Sequence, residues 1–160
     1  MGEPDRGFAY ILDGMNAERI LIAAECIGDG RWFVDRARRY ASDRTVFASP
    51  IGAKQGVQFP ISRAYAQVEA ADLMVQQAAQ RFEAGKPCGK TANMAKLLAS
   101  EAAWQAGDTC LQTFGGYGFA EDYDVERKFR ETRLYQVAPV STNLILAYLG
   151  EHVLGMPRST

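Results

Sequence analysis

The sequence predicts an all-α protein, an antiparallel helical bundle with short connections. Three observations predict it. Apolar residues recur at steps of three and four along most of the 160-residue chain. Glycine and proline gather around 44–57, 85–87, 115–118 and 139, and cut the chain into long segments. No segment shows the strict alternation of a half-buried strand. Hydrophobic residues make up 48% and charged residues 23%, which places the chain among globular rather than disordered sequences. Its length fits one domain with a substantial core.

The elements follow in order. Residues 1–15 read as a lead-in containing Gly2, Pro4, Gly7 and Gly14. Asn16 is then the expected N-cap of a first helix. Ile20, Ala23, Ala24, Ile27, Phe33, Val34, Ala37 and Tyr40 give that helix its apolar face, and it should end near Asp43. Gly28 and Gly30 should weaken it. Residues 44–57, with Pro50, Gly52 and Gly56, read as a loop. A second helix is expected from Gln58 to Glu83, with Pro60 in its first turn and Gly85 and Pro87 after its end. Its Ala64, Val68, Ala71, Leu73, Val75, Ala78 and Ala79 form a small-residue face suited to close packing.

A third helix should run from Lys90 to Thr113, with Met94, Leu97, Leu98, Ala102 and Leu111 on one side. Gln112-Thr113-Phe114-Gly115-Gly116-Tyr117-Gly118-Phe119 comes next, with three glycines in four positions. Locally this is a helix stop and a tight turn. It is also compatible with a loop whose backbone donors face a phosphate or cofactor, although its spacing is neither a Walker loop nor a dinucleotide fingerprint. Asp122 or Asp124 should cap a fourth helix to about Val137, and Glu126 with Arg130 is one of its helically spaced ion pairs. Ser141 should cap a fifth helix, Thr142 to Leu154, which Gly155-Met156-Pro157 ends. The domain is thus expected over 16–155, with 156–160 as a tail.

Several function classes are disfavoured. Lysine and arginine number 18 against 19 acids, so net charge points neither to nucleic acid nor to an anionic membrane surface. No apolar run reaches the ~18 residues of a membrane span, and the N-terminus has no apolar signal core. Three widely spaced cysteines, Cys26, Cys88 and Cys110, fit neither a disulfide framework nor a metal site and point to packed thiols in a reducing compartment. His152 is the one histidine and sits in the last helix, so no Ser-His or Cys-His nucleophile pair is evident.

Five blocks occur in a set order: Arg44-x-x-Phe47-x-x-Pro50-Ile51-x-x-x-Gln55-x-Val57-Gln58-Phe59, then Met94-Ala95-Lys96-Leu97, then Gln112-x-x-Gly115-Gly116-x-Gly118-Phe119, then Val125-Glu126-Arg127, then Arg130-x-x-Arg133-x-Tyr135. In that order and spacing the chain, from about Gly7 to Leu154, resembles the C-terminal helical domain of acyl-CoA dehydrogenases. The resemblance implies a four-helix up-and-down core plus a short extra helix, FAD, an acyl-CoA substrate, a homodimer or homotetramer, and electron-transfer flavoprotein as electron acceptor. It implies no metal, no nucleic acid and no membrane, and a cytoplasmic or, in a eukaryote, mitochondrial-matrix location. It also implies that an N-terminal helical domain and a middle β-domain are absent from this chain, which would then be inactive by itself.

The reaction implied removes an α-proton from the acyl-CoA and passes hydride from the β-carbon to flavin N5. Most members place the carboxylate base in a Tyr-Glu-Gly-Thr-like turn before the last helix. That turn here reads Ala138-Pro139-Val140-Ser141, with Pro139 in the glutamate slot. The isovaleryl-CoA and long-chain members carry the glutamate early in the first helix, just before an arginine, and Asn16-Ala17-Glu18-Arg19-Ile20 matches them. The resemblance therefore assigns Glu18 as base and Arg19 to substrate binding at the active-site wall, and Arg19 reads equally as a structural residue supporting that wall. Without it, Glu18 reads as a first-turn carboxylate favoured by the helix dipole. In relatives a backbone N–H at the Pro139 slot helps hold the thioester oxygen, and proline has none.

The resemblance further assigns Arg44 to the FAD pyrophosphate of a neighbouring subunit, and Phe47 and Gln55 to positions beside the flavin. Phe47 reads equally well as core. Ala48 stands where relatives usually have glycine. Gln112, Gly115 and Gly116 fall in the loop that contacts the neighbour's FAD, and Ser141 and Asn143 near its adenosine-phosphate end. Two other readings stay open: changed chemistry on the same fold, as in an acyl-CoA oxidase or flavin monooxygenase, and a non-catalytic helical oligomerisation module.

Overall fold

The computed structural model describes residues 2–158. Five α-helices carry the chain: α1 (Gly7–Asp43), α2 (Gln55–Glu83), α3 (Gly89–Phe114), α4 (Val125–Leu134) and α5 (Thr142–Tyr148). One turn of π-helix, Leu149–Val153, extends α5. The all-α bundle expected from the pattern is the observed fold.

Contacts between helices set its direction. Arg31 on α1 meets Glu69 and Asp72 on α2, while Ala41 meets Gly52 just before α2; these helices run antiparallel. Gly30 faces Ala103, Phe33 faces Gly107 and Tyr40 stacks on Phe114, so α1 and α3 run parallel. Helix α4 returns beside α3, with Phe129 against Trp104 and Arg133 over the same ring. Then α5 carries the same leg further, from Val140 beside Lys96 to Tyr148 beside Gly89. The fourth leg of the bundle is thus two short helices joined by 135–141.

Alanine lines the interior. Ala23, Ala37, Ala64, Ala71, Ala92, Ala95, Ala99, Ala103 and Ala106 are all buried, and small side chains let helix axes approach closely. Gly30 continues this logic. A Cβ there would meet Val68 Cγ2 at 2.7 Å, so the glycine that weakens α1 locally is the one its packing needs. Gly28 meets nothing within 4 Å. The expected α2 face is buried except at Ala79, which is partly buried, and Leu73, which is 69% exposed. On α3 Ala92, Ala95, Ala99, Ala103 and Ala106 take much of the inside, while Leu98 is 40% exposed.

Four element limits differ from expectation. Helix α1 starts at Gly7, nine residues before the expected cap. Asn16 lies inside it, and its side chain accepts from Arg19 Nη1 at 3.1 Å rather than capping backbone. Helix α2 starts at Gln55, which moves Pro60 into the second turn. Helix α4 ends at Leu134, and Asp124 precedes it in a left-handed conformation with its carboxylate on Arg127 rather than on a backbone N–H. The expected α5 loses α-geometry after Tyr148. Ser141 does cap it, accepting from Leu144 N at 3.4 Å, and the Glu126–Arg130 pair forms at 2.7 Å. Within the loop at 44–54, Thr45–Val46 and Ser49–Pro50 make a two-stranded antiparallel hairpin.

One buried ionic link ties α1 to α4. Asp29 accepts from Lys128 Nζ at 2.6 Å and from Thr132 Oγ1 at 2.9 Å, which satisfies a carboxylate that burial would otherwise penalise.

Candidate functional site

The glycine loop sits where α1 and α3 end together. Gly115 has φ +59° and ψ −134°, a conformation that favours glycine, and its N–H caps α3 by donating to Leu111 O and Gln112 O. That amide is consumed by the helix, so it is not a free phosphate donor. Gly118 is buried, and a Cβ there would meet Leu111 Cδ1 at 2.9 Å and Leu111 O at 3.0 Å. Gly116 differs from both: nothing lies within 4 Å of the place a Cβ would take, and its φ is not positive.

Aromatic rings hold this loop. Tyr40 stacks on Phe114 at 4.1 Å, and Tyr123 meets both edge-on. Arg44, the residue after α1, places its guanidinium 5.7 Å from the centre of the Tyr117 ring. Arg44, Val46, Ile51, Thr113, Gly116 and Tyr117 line a cleft of about 470 Å³ there. Gln112 is exposed on the last turn of α3. Phe47 stands 95% exposed at the hairpin tip, so it is not core. Phe47 and Ala48 both have positive φ, +52° and +63°, which agrees with a position where glycine would sit without strain. Gln55 is exposed at the start of α2.

A second site lies toward the other end. A cavity of about 540 Å³ opens between the first half of α1, the start of α3 and α5. Phe8, Leu12, Met15, Pro139, Val140 and Leu144 supply apolar wall, and Asp13, Asn16, Arg19, Asn93 and Tyr148 supply polar groups. Arg19 is 6% exposed, bonded through Nη1 to Asn16, and its Nε has no partner. Burial pulls its guanidinium below the usual value, with Tyr148 and Glu18 acting in the opposite sense; an arginine stays charged nonetheless. An unpaired buried N–H beside a cavity is a donor waiting for an acceptor.

Glu18 precedes Arg19 but is exposed and does not line the cavity. It is not a first-turn carboxylate either, because α1 begins eleven residues earlier. Ser141 and Asn143 share a small polar pocket of about 350 Å³ with Glu101, Arg133 and Gln136. The structure therefore brings Arg44, Gln112, Gly115 and Gly116 together at one end, Ser141 and Asn143 together on a side, and Arg19 into the cavity. It does not bring Glu18 into contact with any of these sets but Arg19.

Sequence reasoning missed Lys96, Asn93 and Tyr148. Lys96 is fully buried and donates from Nζ to Val140 O at 2.8 Å. The available signal was its register with Ala92, Ala99 and Ala103 on the inner side of α3. Cys26, Cys88 and Cys110 are buried and free, and burial pushes the Cys26 and Cys110 thiols up to about 12, so they stay protonated. Among the described residues no cluster of three or more His, Cys, Asp or Glu could hold a metal ion. No described helix is long and apolar enough to cross a membrane.

Comparison with known proteins agrees with this architecture. The family model "Acyl-CoA dehydrogenase, C-terminal domain" matches residues 5–153. Acyl-CoA dehydrogenase FadE12 of Mycobacterium tuberculosis is 38% identical over 99% of this chain and 42% of its own length. The mitochondrial short/branched chain specific acyl-CoA dehydrogenase of Rattus norvegicus is 33% identical over 96% of this chain and 35% of its own. The butyryl-CoA dehydrogenase structure from Megasphaera elsdenii superposes with a TM-score of 0.92 at 31% identity, over 96% of this chain and 40% of that one. The chain thus spans about two fifths of the length of these relatives. By this match over nearly all its residues, the chain belongs to the acyl-CoA dehydrogenase family, in the part that forms the C-terminal helical domain.

Proposed function

We propose that this chain is the C-terminal domain of an FAD-dependent enzyme that dehydrogenates an acyl-CoA thioester between its α and β carbons. The observation that carries the reading is the cavity lined by Arg19, apolar enough for an acyl chain and holding one unpaired buried donor. FAD, when bound, supplies the hydride acceptor. The residues of this chain do the rest of what falls to them. Glu18 takes the α-proton as general base. Its carboxylate is exposed in this chain, so the desolvation that makes a carboxylate a better base must come from what covers α1 in the whole protein. Arg19 sits on the cavity wall and offers a hydrogen bond to an oxygen of the thioester substrate.

The other end suits the cofactor. Arg44 offers a planar fork for phosphate oxygens, and Gly116 leaves open space beside it that a side chain would occupy. Those residues fit an FAD pyrophosphate, with Phe47, Gln55, Gln112 and Gly115 around it; Ser141 and Asn143, next to Val140 of the Arg19 cavity, fit the adenosine-phosphate end of the FAD that serves that cavity. Arg19 on α1 and Arg44, the residue that follows α1, are 25 residues apart, about 37 Å at 1.5 Å per residue. One extended FAD does not span that. The two ends therefore serve two different active sites in a homodimer or homotetramer, each completed by a neighbouring subunit. Electron-transfer flavoprotein is the proposed acceptor.

Pro139 on the cavity wall favours a second reading, changed chemistry on the same fold, because it withholds a backbone donor. An acyl-CoA oxidase or flavin monooxygenase would consume oxygen without an artificial acceptor; a dehydrogenase would not. The test of the main reading is Glu18→Gln in the full-length protein. Turnover should fall by roughly 10²–10⁴, the usual worth of a general base, with FAD content unchanged. Turnover near the wild-type rate would sink it. A full-length protein without a flavin spectrum would instead favour the oligomerisation module.

A further inference from the structure

Lys96 is the one fully buried lysine among the described residues, and its neighbours on the inner side of α3 are Ala92, Asn93, Ala99 and Ser100, none of them charged. A methionine would fill that space without desolvating a charge. Among the described residues no carboxylate pairs with it. Its partner is a main-chain carbonyl, Val140 O at 2.8 Å, 44 residues away in sequence.

Val140 belongs to the irregular link between α4 and α5. The amides of Val137 and Ala138 bond back to Leu134 O, and Thr142 N bonds to Gln136 O, so both ends of the link are anchored. Pro139 in its middle brings no N–H. The Val140 carbonyl is the point where that middle is tied to the bundle, through a charge-assisted bond. Pro139 and Val140 both line the cavity that also holds Arg19. The peptide unit is planar, and its C=O and N–H point in opposite directions. Holding the Val140 carbonyl toward α3 therefore also turns the Ser141 N–H of the same unit away from α3.

We propose that Lys96 is a positioning residue: its buried ammonium pins the Val140 carbonyl and so fixes the wall of the cavity that the substrate's reacting end occupies. The assignment rests on the reading of that cavity as the acyl-thioester site. Lys96 touches no substrate; it acts through Val140.

The experiment uses the full-length flavoprotein with Lys96→Met, and Lys90→Met, an exposed lysine at the start of the same helix, as control. Hydrogen exchange at residues 137–145 should quicken by roughly tenfold or more, the worth of a lost hydrogen bond to a charged group, while amides of α1 and α2 keep their protection. With an acyl-CoA substrate, kcat should fall by a similar factor of about ten with KM nearly unchanged, because ground-state binding keeps its apolar wall. Lys90→Met should change neither. Unchanged exchange at 137–145, or faster exchange with unchanged kcat, would overturn the proposal. If wild type turns over no acyl-CoA, the functional reading fails, and the exchange data still decide whether Lys96 holds the link. If Lys96→Met does not fold, the wild-type ammonium decides: a slowly exchanging Lys96 Nζ resonance by nitrogen-15 NMR supports the bond, and a solvent-exchanging one refutes it.

Discussion

At the glycine-loop end, shape is set by what cannot fit. Gly115 holds a backbone conformation closed to most residues, Gly118 leaves no room for a Cβ, and stacked Tyr40 and Phe114 fill the space beneath. At the Arg19 end, shape is set by charges out of water. Arg19 and Lys96 are both buried, neither has a carboxylate in ion-pair contact among the described residues, and their recorded partners are Asn16 and Val140 O. The first end tolerates a ligand without needing one. The second carries an unsatisfied donor beside a cavity and is the costlier of the two to keep. Under the proposed function, the difference points to Gly116, which its own surroundings do not require, and to cations that the core would be easier to build without.

Substitutions can break or sharpen that contrast. The largest expected effect is Glu18→Gln, the loss of roughly 10²–10⁴ in turnover with FAD retained, since Glu18 lies at the charged end and away from the cleft. Next is Gly118→Ala, which should destabilise the domain by about 1–3 kcal/mol, as overpacking does, because Leu111 O is backbone and cannot swing aside. Chemical denaturation of the two proteins reads this; an unchanged midpoint would mean the loop is softer than its contacts imply. Gly116→Ala is the counterpart. It should leave the denaturation midpoint within about 0.5 kcal/mol, the range of a harmless surface change, yet weaken FAD binding in the full-length protein, measured by flavin titration. Equal loss of stability at 116 and 118 would erase the distinction between the two glycines.

The smallest effect is in pH. Burial pulls the Lys96 ammonium below its usual 10.5, with Cys26 working against this and Arg19 adding to it. Between the lowered folded value and 10.5 the unfolded chain binds more protons than the folded one, so stability rises with pH in that window. The unfolding free energy of wild type minus that of Lys96→Met should therefore shift in favour of wild type as pH climbs through it. A flat or falling difference contradicts the burial of a charged Lys96.

The two ends were also unequally legible. Glycine is a conspicuous letter, and three in four positions announced both the end of α3 and a loop worth attention. The long helices were equally plain, because alanine and valine at helical steps leave few alternatives. The start of α1 was hidden, since Gly7 and Gly14 are poor helix formers and Asn16 is a good cap. Here Asn16 spends its carbonyl oxygen on Arg19 instead, a bond that tertiary burial makes worth having. Lys96 was visible only as one letter of a matching block. Nothing local says that a lysine is buried; that follows from which face three helices share. Leu73 was misplaced for the same reason, as a face drawn from small and apolar letters does not show where the partner helix stops.

The double dissociation of the two ends tests the account most directly. Anaerobic mixing of the full-length protein with an acyl-CoA reads flavin reduction in one turnover, and flavin titration reads cofactor affinity. Glu18→Gln should keep wild-type FAD affinity and lose reduction, while Gly116→Ala, saturated with FAD, should reduce at close to the wild-type rate despite weaker affinity. If Glu18→Gln reduces its flavin as fast as wild type, or Gly116→Ala binds FAD as tightly, the division of labour between the two ends is wrong.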